Sequence, residues 1–181
     1  IRQDRCALKV GTDGVLLGAW ADYSGAARIL DIGTGTGLLA LIAAQRNAYA
    51  RIDAVEIDDA AAEQATENVA ASRWADRIRV HRMDARRMQA SEPYDVIICN
   101  PPYYDGGMAS PDERRAVARH AGRLTLVELL SAAAGLMCRD TERGHIRSVE
   151  VLLAEHEALV LRVVVVAQQP LRGHDLDVLD V

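Results

Sequence analysis

Short apolar runs alternate along this chain with stretches whose apolar residues recur at helical spacing. That alternation points to an α/β domain built on a mostly parallel sheet. Thr12 and Asp13 are placed to cap a first helix, Gly14–Ala21. Ala27–Ile32 reads as a buried strand closed by glycines, and Leu38–Arg46 as a helix with a continuous apolar face. Arg51–Ile57 is a second strand, and Asp58 and Asp59 cap a helix over Ala60–Ala71. Ile78–Met83 and Tyr94–Cys99 are the third and fourth strands, the latter an unbroken apolar run of the doubly buried kind. A loop with Gly106, Gly107 and Pro111 follows, then helices over Pro111–Arg119 and Leu124–Met137. In the tail, His145–Val149 is expected as a strand, Val151–Ala158 as a short helix, and Leu159–Ala167 and Asp175–Val181 as strands.

Half of the 181 residues are hydrophobic, enough for the core of one domain. No run of about eighteen apolar residues exists, so no membrane span is expected. The chain opens on Ile1 without a signal-peptide pattern, and further residues are expected before it. Cys6, Cys99 and Cys138 are odd in number and lack CxxC spacing, which argues against a disulfide framework or a zinc site and for a reducing cytoplasm. The net charge of −5 does not advertise nucleic-acid binding, but its distribution is uneven. Lys9 is the only lysine; six arginines fall between Arg73 and Arg87, and four between Arg114 and Arg123 with no acid among them. Arginine suits phosphate because its planar fork donates two hydrogen bonds at once. Solvated helix faces are the plainer explanation of either cluster.

The candidate chemistry begins where the first strand runs into Asp31-Ile32-Gly33-Thr34-Gly35-Thr36-Gly37, directly before a helix. Glycines allow a tight turn and close approach of a ligand, and a helix N-terminus offers free N–H groups. A dinucleotide fingerprint would need glycine at position 38, which is Leu38, and a phosphate loop would need a Gly-Lys pair, which is absent. Asp31 would repel a pyrophosphate but attract a cationic amino group. S-adenosylmethionine carries such a group and a sulfonium. Glu56 ends the second strand, where a carboxylate can accept from ribose hydroxyls, and Asp84 follows the third, where one can accept from an adenine amino group. Each acid alone is an ordinary strand end or helix cap. Together they line the carboxyl edge of the sheet, where open α/β folds bind ligands.

The fourth strand delivers Asn100-Pro101-Pro102-Tyr103 to the same edge. The prolines fix the backbone and leave carbonyls without N–H donors. A planar –NH2 group can donate one hydrogen to the Asn100 side chain and one to the Pro101 carbonyl, which turns its lone pair toward an incoming methyl group. Tyr103 can stack on a base, with Tyr104 beside it, and an adenine would have to leave a helical stack to reach them. No metal and no general base is required; His120 reads more readily as a phosphate contact. Trp20 and Trp74 read as packing residues rather than stacking platforms.

These residues resemble the class I methyltransferase superfamily, and most closely the bacterial tRNA1(Val) (adenine-37-N6)-methyltransferases. The likeness runs from Cys6 and Lys9-Val10-Gly11-Thr12-Asp13-Gly14-Val15-Leu16-Leu17-Gly18-Ala19-Trp20 through Asp31–Gly37, Val55–Asp58, Asn68, Asn100–Tyr103 and Arg119-His120. It implies a Rossmann-like, mostly parallel seven-stranded sheet flanked by helices: a single domain over 1–181, with 1–26 as a lead-in and 27–181 as the core. It implies S-adenosylmethionine held by Lys9, Gly11, Thr12, Asp13, Asp31, Gly33, Thr34, Gly35, Gly37, Glu56, Ile57, Asp84, Ala85 and Asn100, with Lys9–Gly14 closing over the methionine end. Asn100, Pro101, Pro102 and Tyr103 would be catalytic. Tyr103, Tyr104, Arg114, Arg115, Arg119 and His120 would meet the RNA. The implied partner is tRNA, methylated on an adenine beside the anticodon by a cytoplasmic monomer without metal or membrane. The family's pattern is departed from at Ala121, where an acid is expected, and after Met137, where the tail is compressed. An N5-glutamine methyltransferase of release factors, an rRNA amino-methyltransferase and a non-catalytic nucleotide- or RNA-binding module are the alternatives.

Overall fold

The computed structural model describes residues 1–7, 9–100, 126–137, 148–154 and 160–164. In chain order these hold α1 (Thr12–Trp20), β1 (Arg28–Ile32), α2 (Leu38–Arg46), β2 (Arg51–Glu56), α3 (Asp59–Ala70), β3 (Ile78–Arg82), a 3-10 turn (Ala85–Arg87), β4 (Val96–Cys99), α4 (Leu126–Leu136), β5 (Ser148–Ala154) and β6 (Val160–Val164). The described strands form one sheet in the order β3-β2-β1-β4-β5-β6. All pairings are parallel except β5 with β6. The chain starts in the middle of the sheet, winds outward to β3, then crosses β1 to β4. That reversal opens a crevice at the carboxyl ends of β1 and β4.

β1 shows how the sequence builds two layers. Its side chains alternate, so Ile29 joins the core under α1, α2 and α3, while Leu30 and Ile32 join the core under α4 with Tyr94, Ile97, Leu129 and Ala133. Burial on both faces is why β4 reads as a continuous apolar run. On the first face, α1 crosses α2 at Gly18. A methyl group built there would stand 2.7 Å from Ile42 Cδ1 and 3.2 Å from its Cβ. Gly18→Ala is therefore expected to overpack this crossing and destabilise the fold by about 1–3 kcal/mol, seen as a lower Tm in thermal melts. An unchanged Tm would show that α1 is free to move away.

Among the described residues up to Met137, helices and strands lie within two residues of the sequence expectations. One cap differs: Gly11, not Thr12 or Asp13, is the N-cap of α1, and no side chain caps it. Asp58 caps α3 as expected, accepting from the Ala61 N–H at 2.9 Å, and Asp59 is the first helical residue. The tail requires a larger correction. Val151–Ala154, the described part of the expected helix, is strand instead: β5 runs from Ser148 through Ala154. A short apolar run has no period long enough to separate helix from strand. Here pairing decides: Ser148–Val151 lies along Val96–Cys99, and Glu150–Ala154 turns back against Val160–Val164. Six strands are present among the described residues. The expected helix over 111–119 and the strand over 175–181 lie outside them.

The arginine cluster also resolves. Arg77 donates to the carbonyls of Ala44, Asn47 and Ala50 at 2.8–3.0 Å and so caps the end of α2. Arg82 pairs with Asp59, and Arg86 with Asp84. Three of the six are thus tied to the fold, while Arg73, Arg79 and Arg87 are exposed. Trp74 packs against the first core as expected, but Trp20 is 65% exposed and does not.

Candidate functional site

The glycine loop is made by three residues in the left-handed region: Gly33 at φ +72°, Gly35 at +54° and Gly37 at +84°. A side chain at any of them would strain the turn. Gly33 and Thr34 donate to the Val55 carbonyl at 2.9 and 3.1 Å, which ties the loop to the end of β2. Gly37 is the N-cap of α2.

Asp31 is fully buried beneath this loop. Its Oδ2 accepts from the Thr34 hydroxyl at 2.5 Å and the Ala40 N–H at 3.1 Å, whereas Oδ1 has no partner. Burial raises its pKa to about 7, against the lowering effect of those two bonds. A buried carboxylate oxygen without a donor costs free energy, and a cationic N–H donor would relieve that cost.

Register places the other acids on the same edge. Ile32 lies beside Val55 in β2 and beside Cys99 in β4, so Glu56 and Asn100 flank Gly33 from either side. Glu56 already accepts three backbone hydrogen bonds. Its Oε2 accepts from the Gly35 N–H at 2.9 Å, and its Oε1 from the N–H groups of Ile57 and Asp58 at 2.9 and 3.0 Å. It closes the glycine loop, and ribose hydroxyls would have to share or displace these donors. Asp84 is the N-cap of the 3-10 turn and is gripped by Arg86, whose hydrogen bonds hold its pKa below the usual carboxylate range. Ile57 is 51% exposed beside Glu56, and Ala85 is buried next to Asp84.

Asn100 is half-buried at the end of β4. A Cβ added to Gly14 would lie 3.4 Å from Asn100 Nδ2 and 3.3 Å from Leu38 Cδ2. The first turn of α1 therefore rests on the Asn100 amide and the start of α2, and glycine allows that approach. Thr12 and Asp13 are exposed on this turn. Lys9 does not point at an acid; its ammonium donates to the Gln3 and Cys6 carbonyls at 2.5 and 3.2 Å. Pro101, Pro102, Tyr103, Tyr104, Arg114, Arg115, Arg119 and His120 lie outside the described residues.

The structure adds a strap that sequence reasoning missed. Asn68 accepts from the Arg2 N–H at 2.7 Å and donates to the Arg2 carbonyl and to Thr36 of the glycine loop, both at 2.8 Å. One turn earlier, Gln64 accepts from the Arg5 N–H and donates to Asp4. Cys6 is buried on the same segment. The available signal was two amides four residues apart on a stripe otherwise made of Ala61, Ala65 and Val69. Asn68→Ala is expected to cost about 1–3 kcal/mol, since it leaves a loop carbonyl and both Arg2 groups unpaired. Amide exchange at Arg2 should accelerate; unchanged exchange there would show that the strap does not depend on Asn68.

A groove of about 900 Å³ between α2 and α3, lined by Leu41, Ile42, Asn68 and Trp74 among others, contains none of the three carboxylates. Among the described residues, no group of His, Cys, Asp and Glu has the arrangement of a metal site, and no helix is long and apolar enough to cross a membrane.

A tRNA1(Val) (adenine(37)-N6)-methyltransferase of Bacteroides thetaiotaomicron is 55% identical over 138 residues, covering 76% of this chain and 58% of that protein. The protein of the same description from Tolumonas auensis is 56% identical over 138 residues, with the same coverage. The chain thus spans somewhat more than half the length of these curated relatives. The solved structure of SibL, an S-adenosylmethionine-dependent methyltransferase, superposes with a TM-score of 0.53 at 21% identity, over 79% of this chain and 35% of that one, and shows the shared Rossmann-like fold. The methyltransferase small domain model matches residues 11–128, from the N-cap of α1 into α4. With that match over most of its length, the chain belongs to the methyltransferase small domain family.

Proposed function

We propose that this chain carries the catalytic domain of an S-adenosylmethionine-dependent N-methyltransferase acting on the exocyclic amino group of an adenine in tRNA, beside the anticodon. One observation carries the reading above all: β-sheet register sets Asn100 next to Gly33, one strand away from the buried, half-satisfied Asp31. On this reading, the acceptor for a planar amino group and the acceptor for a cationic cofactor would meet at one crevice. The high identity to two curated tRNA adenine methyltransferases over this region supports the choice of acceptor. A cytoplasmic setting follows from a tRNA substrate, and buried Cys6 and Cys99 are free thiols.

When bound, S-adenosylmethionine supplies a methyl group on a sulfonium, whose departure as a neutral thioether needs no acid. Asp31 Oδ1 would accept from its ammonium, Glu56 from its ribose, and Asp84 from its adenine amino group. The strap and the first turn of α1 would hold the methionine end. Asn100 Oδ1 and the Pro101 carbonyl would each accept one hydrogen of the target amine. That draws the nitrogen toward a tetrahedral shape, with its lone pair aimed at the methyl group. Tyr103 would stack on the base. As the N–C bond forms and the S–C bond breaks, the nitrogen would gain positive charge and then lose one proton to solvent, so catalysis would be positioning plus hydrogen bonding to that nitrogen.

The direct test of the acceptor is labelled methyl transfer to two transcripts of one tRNA, with adenine or guanine beside the anticodon. Label is expected only in the adenine transcript. Equal label in both would place the target elsewhere.

A further inference from the structure

The carboxylate expected to read the cofactor's adenine is not held by the backbone alone. Arg86 donates to Asp84 from its backbone N–H (2.9 Å to Oδ1), from Nε (3.0 Å to each oxygen) and from Nη2 (2.6 Å to Oδ2). Its remaining amino group, Nη1, reaches Glu128 Oε1 on α4 at 3.2 Å. The side chain folds back along the 3-10 turn and clamps the carboxylate plane in a fork. Asp84 retains 16% exposure, so one edge of it still faces outward.

We propose that Arg86 is a positioning residue for cofactor specificity: it fixes the plane of Asp84 so that its outward edge accepts the adenine amino group. This rests on the cofactor reading above. Three donors of Arg86 hold the carboxylate: the backbone N–H on Oδ1, Nη2 on Oδ2, and Nε shared between both oxygens. The outward edge is what is left for a further donor. Adenine presents an amino donor there. Hypoxanthine presents a carbonyl, which would face a carboxylate that cannot donate while it stays ionised. The guanidinium prevents it from rotating to avoid the clash. Through Glu128 the same guanidinium ties the adenine end of the site to α4.

The probes are S-adenosylhomocysteine and its inosine counterpart, with binding measured by calorimetry and Tm recorded alongside. Wild-type protein is expected to prefer the adenine compound by on the order of tenfold or more, the loss expected when a built acceptor meets no donor. Arg86→Ala should bring that ratio toward one while Tm stays near that of wild type; Arg86→Lys, which cannot form the fork, should lose most of the preference. Glu128→Gln should retain it, because the fork on Asp84 is intact. If Arg86→Ala weakens both compounds equally, or keeps the wild-type ratio, the specificity role is overturned. If wild-type protein binds neither compound, the cofactor reading fails and this proposal with it.

Discussion

Asn100→Ala is expected to abolish methyl transfer, lowering kcat by at least a factor of about 100, while leaving cofactor binding within a factor of about two. The estimate follows from losing one of two hydrogen bonds that exist fully only in the transition state. The separation of the two readouts follows from geometry. Asn100 flanks Gly33 on the side opposite Glu56, and its amide lies close to Gly14 in the first turn of α1. Asn100→Asp is the sharper variant, because it preserves shape and an acceptor but places a charge beside the target amine. Calorimetry with S-adenosylhomocysteine and single-turnover methyl transfer separate binding from chemistry. Loss of both together would mean that Asn100 supports the cofactor site and not the base.

Asp31 carries the second large effect. Its carboxyl titrates near pH 7 because burial disfavours the charged form. The consequences for stability and for binding have opposite signs. The ordinary pKa of 3.8 is raised in the fold, so this group favours the folded state at low pH. That contribution is lost as pH rises from about 4 to about 7. A cationic ligand on Oδ1 prefers the ionised form, so its affinity should rise as pH increases through 7 and level off above it. Cofactor-induced stabilisation should therefore be larger at pH 8 than at pH 6. Asp31→Asn keeps an acceptor for Thr34 and Ala40 but removes the charge. Its affinity should be lower by roughly 10- to 100-fold, the scale of a charge-assisted bond, and flat between pH 6 and 8. A wild-type affinity that does not change across this range would show that Asp31 is not the ammonium's partner.

Much of this site was legible before any coordinates. A strand that runs into alternating glycines can only turn sharply, and Gly33, Gly35 and Gly37 do so with positive φ. Asp31, Glu56, Asp84 and Asn100 each end or follow a strand, and parallel register necessarily brings such ends to one edge. The partners of those acids were not legible. Nothing in the linear order says that Gly35 donates to Glu56, or that Arg86 folds back on Asp84 rather than reaching for phosphate. Those contacts depend on loop conformations that neighbouring elements decide. The strap shows the same limit: Gln64 and Asn68 pair with residues about sixty positions away in the sequence. The misread stretch from Val151 shows where local pattern loses to sheet pairing.

The account stands most directly on what is methylated. The decisive measurement incubates the protein with labelled S-adenosylmethionine and total tRNA, rRNA and protein fractions, then hydrolyses each fraction and identifies the labelled product. The account predicts label in the tRNA fraction, recovered as N6-methyladenosine. Label recovered as N5-methylglutamine from protein, or no label in any fraction despite cofactor binding, would contradict it.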